Sequence, residues 1–384
     1  MSEEGCQKRL LGFILFVLKS DNSFFLDNFA VLINSTFLIM KKILTAIAVL
    51  AFSASLSFAQ NKKVAVYGVG FYNLENLFDT INSNGKYDLE FSPEGARRWN
   101  GQKYWSKQNN MAYAISQMGK ETLPGGLAVL GVSEIENKSV LEDLVKTGDL
   151  AKQNMKIVHY DSPDKRGVDV GLLYNPKMFR VLASQSRRLT VPEKPTFLTR
   201  DQLVVTGLLG GEKISFVVNH WPSRLGGESQ SSPLREAAAA LTKSIVDSLL
   251  QIDPNAGVVV MGDLNDDPIN KSCKEVLRAK KKEKEVAEGD MFNTMWQFYD
   301  KGIGTLAYKG QWNLFDQIII TPNLLGKDRS SLKYWKGEVF NKPFLMNEEG
   351  AYKGYPKRTH AAGIFLNGYS DHFPTLIYLV KEVK

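Results

Sequence analysis

The chain has 384 residues, 43% of them hydrophobic and 23% charged, with a formal net charge of +7 and only two cysteines, Cys6 and Cys273. Cys6 lies in a segment expected to be removed, which leaves Cys273 alone and excludes an internal disulfide framework. Stability must therefore come from a hydrophobic core, and the chain is long enough to bury a large one.

A second start lies inside the chain. Met40-Lys41-Lys42 is a short basic region, and Ile43 to Leu56 is an apolar stretch of signal-peptide length. Ser57-Phe58-Ala59 ends in the small residues that signal peptidase prefers. Residues 40–59 are read as a signal peptide cleaved after Ala59, residues 1–39 as an extension from a wrong start codon, and residues 60–384 as one periplasmic or secreted domain. The earlier apolar runs, Leu10 to Leu18 and Phe29 to Ile39, are separated by Lys19, Asp21, Asn22 and Asp27. Neither reaches the ~20 residues of a membrane span. No cysteine follows Ala59, so a lipid-anchored start is not expected. Removal of residues 1–59 takes five of the 48 Lys+Arg and four of the 41 Asp+Glu, leaving a net +6. That balance suits a polyanionic substrate without demanding one.

Downstream, strand-like and helical patterns alternate with no repeat or low-complexity linker, which argues a single α/β domain. Phe71-Tyr72-Asn73-Leu74-Glu75-Asn76 ends a first strand in polar groups. Trp105 to Lys120 carries Met111, Ile115 and Met118 at helical spacing, and Leu127 to Val132 is a buried-type strand running into Ser133-Glu134. Arg166-Gly167-Val168-Asp169 leads an apolar run to Tyr174. Ile214 to Val218 runs into Asn219-His220-Trp221-Pro222-Ser223-Arg224. A helix is expected to begin at Pro233, as an N-terminal residue, and to stop at Asp253-Pro254-Asn255. The run Ala256 to Met261 then ends in Gly262-Asp263-Leu264-Asn265, followed by Asp266, Asp267 and Pro268. The mixed charges from Arg278 to Glu285 read as the solvated face of a short helix. Asp316 sits in Asn313 to Ile320, and Gly337 to Gly368 is a strand-poor stretch able to wall a cleft. It precedes Ser370-Asp371-His372, which abuts the last strand, Thr375 to Val380.

One strand ending in an acid is ordinary, since turn chemistry or a solvated cap explains it. Five strand ends that supply Asn, Glu, His, Asp-x-Asn and Asp-His in one chain point to chemistry, because a hard cation needs oxygen ligands and hydrolysis needs groups that move protons. In this order the motifs resemble the endonuclease/exonuclease/phosphatase superfamily of metal-dependent phosphoesterases, from about Val64 to Val383. The resemblance implies an α/β four-layer sandwich, two packed mixed β-sheets with helices on the outer faces. It implies a Mg²⁺ site (Mn²⁺ as a substitute) at Asn73, Glu134 and Asp371. Glu136 is read from side-chain alternation as pointing to the opposite side if the strand continues. Asp263 would align the attacking water, Asn265 would grip a phosphate oxygen, and His220 and His372 would carry protons. Asp316 is expected to orient His372 and Asp169 to orient His220, while Arg166 and Arg224 clamp phosphate. His159 and His360 are expected to be surface or wall residues. The implied activity is phosphodiester hydrolysis by a monomer without a stable protein partner. Nucleic acid is the expected substrate; the alternative is phospholipid headgroups or inositol phosphates.

Overall fold

The computed structural model describes residues 12, 15, 31–47, 63–82 and 88–383. The chain divides into two units, Met1–Lys62 and Lys63–Lys384. In the first, residues 31–47 are helical and expose apolar side chains such as Leu32 and Phe37. Among the described residues no helix is long and apolar enough to cross a membrane. The expected cleavage point after Ala59 lies outside the described residues.

The second unit is built on two mixed sheets. The first contains β1 (Lys63–Leu77), β2 (Val129–Ile135), β3 (Lys156–His159), β4 (Asp169–Tyr174), β14 (Lys333–Val339) and β17 (Thr375–Val383), in the order β14-β17-β1-β2-β4-β3. The second contains β5 (Phe179–Arg187), β6 (Gln202–Leu209), β7 (Glu212–His220), β8 (Gly257–Asp263), β9 (Ala279–Lys280), β10 (Met291–Asn293) and β13 (Asp316–Ile320), in the order β5-β6-β7-β8-β13-β10-β9. Two hairpins complete the strands: β11 (Leu306–Tyr308) with β12 (Gln311–Asn313), and β15 (His360–Ala361) with β16 (Ile364–Phe365).

Strand side chains alternate between faces, and the apolar residues divide accordingly. On β8, Val259 and Met261 join Val69, Phe71, Phe216, Val218 and Ile318 in the large cluster between the sheets. Val258 and Val260 instead join Val217, Ile319, Ala238, Ala239 and Ile245 under helix α3 (Glu228–Ile252). The sheets approach closely at Gly131, where a Cβ would lie 2.6 Å from Met261 Sδ and 3.1 Å from Val218 Cγ1. By parity Asn73, His220, Asp263 and Asp316 fall on the same inward faces as this core, at its end.

Local chemistry moves several predicted boundaries. Helix α1 spans Gly101–Gln117 rather than 105–120, because Asn100 caps it by accepting from Lys103 N at 3.1 Å. Its far end is set by Gly119, whose φ of +66° leaves the helical region. Helix α3 begins at Glu228 and runs through Pro233, with Ser231 Oγ donating to the Gly227 carbonyl at 2.7 Å. The missing proline N–H then costs at most one bond near the helix start. The run Arg278 to Glu285 is no helix but the short strand β9 and a 3₁₀ turn at Glu283–Glu285; the turn is exposed, as expected for a solvated charge run.

Under the Gly262 to Pro268 segment lies a buried ion pair. Arg235, fully buried on α3, places Nε 2.7 Å from Asp266 Oδ1, and Ser272 Oγ donates to Asp266 Oδ2 at 2.6 Å. Removing one partner strands a buried charge, which costs about 3–5 kcal/mol. Arg235→Leu is therefore expected to lower the unfolding free energy by about that amount, read as a shifted urea midpoint. A loss below about 1 kcal/mol would show that Asp266 is held adequately by its other partners.

Candidate active site

The carboxyl ends of β7 and β8 and the start of β13 meet at one edge of the sandwich. Asp263 is in register with His220 on β7 and with Asp316 on β13, so three functional side chains stand side by side. From the opposing sheet, Asn73 Nδ2 donates to Asp263 Oδ2 at 3.0 Å. His220 Nε2 lies 3.5 Å from Asp263 Oδ2 and 3.9 Å from Glu134 Oε1. His372 Nδ1 lies 2.7 Å from Asp316 Oδ2, and its Nε2 is 3.9 Å from Asp263 Oδ2. The Asp316–His372 pairing expected from sequence is thus present.

Burial sets the charges here. It raises the Asp263 carboxyl, which His372 pulls down and Asp316 pushes up, to about 6. Burial alone would lower His372, but the Asp316 carboxylate, backed by Asp263 and Asp371, holds the imidazole well above its ordinary range. Burial pushes His220 well below that range, assisted by the guanidinium groups of Arg200 and Arg166 and by His372. One imidazole is therefore a cation and the other neutral at pH 7, a separation typical of sites that divide acid and base work.

Glu134 reaches the same edge through a backbone irregularity. The β2–β4 register jumps from Ser133 to Ile135, leaving Glu134 as the extra residue, with a φ of +59°. Its Oε2 accepts the Asn76 N–H at 3.0 Å, and Arg166 Nη2 lies 3.6 Å from its Oε1. In an unbroken strand positions 134 and 136 would share a face. The bulge separates them: Glu136 turns away and accepts the Asp79 N–H at 2.8 Å.

Asp371 and Glu75 are bridged by Arg358, whose Nη2 lies 2.8 Å from Asp371 Oδ2 and whose Nε lies 3.5 Å from Glu75 Oε1. Burial raises the Glu75 carboxyl to about 7, with Asp371 adding to it against Lys107 and Arg358. Glu134, Asp371 and the Asn73 amide oxygen make an all-oxygen donor set that fits a hard divalent cation. Both ends of the Asn73 amide are engaged, since its Oδ1 accepts the Glu75 N–H at 2.9 Å; one oxygen lone pair remains for an ion. Among the described residues, acids and histidines whose ligand atoms all lie within 4.8 Å of one another occur elsewhere, at His159, Asp161 and Asp169.

Two sequence expectations need correction. Asp169 does not orient His220. It lies 2.9 Å from His159 Nε2 and also accepts from Ser162, because β3 and β4 are neighbours whereas β7 belongs to the other sheet. His159 is consequently no surface residue, its side chain being 3% exposed. Arg224 is not an open phosphate clamp. It donates to the Asn265 carbonyl, Asp266, Asn270 and Glu228, and its guanidinium lies 4.6 Å over the Phe315 ring. Asn265 stands at the predicted turn with a φ of +50°, but its Nδ2 donates to the Trp221 carbonyl at 3.0 Å. Arg166 faces Glu134 as well as Asp164, to which its Nε is 3.8 Å away. Sequence reasoning missed Arg200 and Lys107, and read Arg358 only as part of the basic and aromatic stretch able to wall the cleft. Arg200 is buried 3.1 Å from Asp164, and Lys107 Nζ donates to Thr359 Oγ1 at 2.6 Å. Only the polar character of Lys107 inside an apolar helix face hinted at such a role.

The chain belongs to the Endonuclease/Exonuclease/phosphatase family, whose sequence profile matches residues 68–381. It is accordingly a phosphoester hydrolase of a divalent-metal-dependent family. Solved structures of the same fold include a humanized TDP2 of D. rerio carrying 14 mutations, at 11% identity and a TM-score of 0.50 over 82% of this chain and 98% of that one. A mannosyl-6-phosphatase of Bacteroides thetaiotaomicron aligns at 15% identity and a TM-score of 0.49, covering 82% of this chain and 99% of its own. A truncated TDP2 of Caenorhabditis elegans aligns at 14% identity and a TM-score of 0.48, covering 82% and 97%. No curated protein sequence matches significantly. At these identities the likeness is one of fold.

Glu136 yields a stability test. Burial, together with Asp79 and Asp88 and against the Asp79 N–H bond, raises its carboxyl from 4.5 to about 8. The folded state then keeps a proton that the unfolded chain releases, so stability falls as pH rises from about 4.5 to about 8. Glu136→Gln cannot ionise and still accepts the Asp79 N–H. Its melting temperature should exceed that of the wild type at pH 8 and converge with it below pH 5. Parallel melting curves across that range would place the Glu136 carboxyl at its ordinary value.

Proposed function

We propose that this protein is an exported, Mg²⁺-dependent phosphoester hydrolase acting on small phosphorylated molecules. The observation that carries the chemistry is the Asn73–Asp263 bond beside the Asp316–His372 pair. Asp263, held by Asn73 and by the Asn265 N–H at 3.0 Å, aligns water and takes its proton. The water oxygen bonds to phosphorus as the ester P–O bond breaks, and the proton returns through solvent to the leaving oxygen. The His372 imidazolium, kept charged by Asp316, balances negative charge on the phosphoryl oxygens, and the neutral His220 offers them a hydrogen bond. A Mg²⁺ bound by Glu134, Asp371 and Asn73 would supply further charge neutralisation.

The substrate class follows from the arginines. A nucleic-acid strand is held largely by Lys and Arg free to pair with phosphates. At this edge Arg166 faces Glu134 at 3.6 Å, Arg200 faces Asp164 at 3.1 Å, Arg224 faces Asp266 at 3.2 Å and Arg358 faces Asp371 at 2.8 Å. Charge already neutralised inside the protein favours a small substrate, of the headgroup or inositol phosphate kind. Nucleic acid is the second reading, favoured by the net charge of +6 left after removal of residues 1–59. Export rests on the Met40 to Ala59 segment, and N-terminal sequencing of exported protein should begin at Gln60.

Chelation should abolish activity, and Mg²⁺ should restore it. Activity retained in full after exhaustive dialysis against EDTA would exclude this mechanism. His372→Ala and Asp316→Ala should each lower kcat by about 100-fold or more, the cost of losing a group that stabilises developing charge. The double variant should be little worse than His372→Ala, since the two residues act as a unit. Fully multiplicative losses, with circular dichroism showing intact folds, would dissolve the pair. A panel of plasmid, single-stranded DNA, RNA, sphingomyelin and inositol phosphates separates the substrate readings, and turnover of nucleic acid alone would reverse their order.

A further inference from the structure

The two acids of the metal donor set meet their arginines differently. Arg166 Nη2 stands 3.6 Å from Glu134 Oε1, beyond a hydrogen bond, while Glu134 Oε2 takes the Asn76 N–H. Arg358 Nη2 instead lies 2.8 Å from Asp371 Oδ2, and no other donor reaches the Asp371 carboxylate among the described residues. A full positive charge of the chain thus stands in contact with an oxygen that a divalent ion would use.

Arg358 has a fixed root and a loose head. The backbone next to it is pinned: Glu75 Oε2 accepts the Thr359 N–H at 2.6 Å. The buried Lys107 Nζ donates to Thr359 Oγ1 at 2.6 Å and to the Tyr369 carbonyl at 3.1 Å. The Arg358 side chain, by contrast, is 45% exposed and meets Asp371 through one N–H rather than as a bidentate fork. A half-exposed pair of this kind adds little to stability, so little opposes its opening. Glu75 Oε1, 3.5 Å from Arg358 Nε, is a second carboxylate that the guanidinium keeps when it leaves Asp371.

We propose that Arg358 and the divalent ion exclude one another at Asp371, so that this arginine, and not the donor set alone, sets how readily the site loads with metal. The proposal rests on the assignment of Asn73, Glu134 and Asp371 to the metal and adds to it a residue that opposes loading. Two positive centres on one carboxylate repel. By linkage, the ion loosens the Arg358–Asp371 pair by the same factor by which that pair weakens the ion. Loading then leaves the guanidinium on Glu75 alone. An arginine that merely steadied Asp371 would have the reverse effect, because outer partners that orient a ligand strengthen metal binding.

Mn²⁺ binding to the full chain is measured without substrate, from the free-ion signal in electron paramagnetic resonance. Glu134→Gln marks the site and should weaken binding about tenfold or more. Arg358→Gln, which keeps a donor to Asp371 but no charge, should bind Mn²⁺ about tenfold more tightly than the wild type. Arg358→Ala should do the same. Guanidinium chloride added to that variant should return its Mn²⁺ affinity towards the wild-type value, while sodium chloride at equal ionic strength should weaken binding far less. Circular dichroism checks both folds, and Arg358→Gln decides alone if the alanine variant unfolds. Unchanged or weaker binding in the folded variants overturns the proposal, the weaker result making Arg358 a support of Asp371. Tighter binding that guanidinium reverses no better than sodium also overturns it, since the effect would then be a distant field and not exclusion at Asp371. If Glu134→Gln leaves binding unchanged, or no variant binds Mn²⁺, the metal assignment itself fails and takes the proposal with it.

Discussion

A single hydrogen bond across the two sheets, from Asn73 Nδ2 to Asp263 Oδ2, constrains most of what surrounds it. A carboxylate buried at 2% exposure is costly unless its oxygens are paired. Its Oδ1 takes the Asn265 N–H of its own loop, but the donor to Oδ2 comes from a strand of the opposing sheet, so the sheets must stand at one fixed separation. The interior sets that separation with Val, Ile and Phe side chains and with the bare backbone of Gly131 against Met261. The core is in this sense the ruler by which the polar edge is spaced.

The edge itself is a balance of opposite charges rather than an accumulation of one sign. Asp263, Asp316 and Glu134 face two imidazoles and Arg166, while Glu75 and Asp371 share Arg358. Asp266 and Asp267 lie next in the chain to the reactive carboxylate, yet they support the loop from below. Asp266 holds Arg235, and Asp267 accepts the Leu314 N–H at 2.7 Å. The acidic run after β8 is thus divided between chemistry and architecture, residue by residue.

Much of this was legible in the chain, because strand parity is local information. The uniformly apolar runs beside Asp263, His220 and Asp316 mark strands buried on both faces with polar ends, and parity relates those ends to their neighbours, although the runs do not mark which face meets the other sheet. Contacts between remote strands were less legible. Asp169 faces His159 ten residues away because β3 and β4 are neighbours, and no pattern inside the Asp169 strand distinguishes that partner from His220. The bulge at Glu134 was equally hidden, since nothing in Gly131-Val132-Ser133-Glu134-Ile135 marks an extra residue. Arg224 was misread for another reason. Residue type suggested a phosphate ligand, but its carboxylate and amide partners are assembled from the β8 loop and α3, about 40 positions later in the chain for the loop partners.

The groups at the Asp263 edge stand mainly on strand ends of the two sheets, whereas the wall beside Glu75 and Arg358 is built from the 88–97 segment and the β15–β16 hairpin. Strands in a packed interior cannot shift without disturbing every layer beneath them; a surface hairpin with a two-residue turn at Ala362 and Gly363 can be lengthened or exchanged. Divergence among descendants of such a chain would therefore be unequal. The reaction would be inherited with the core, while the molecules accepted could drift with the loops.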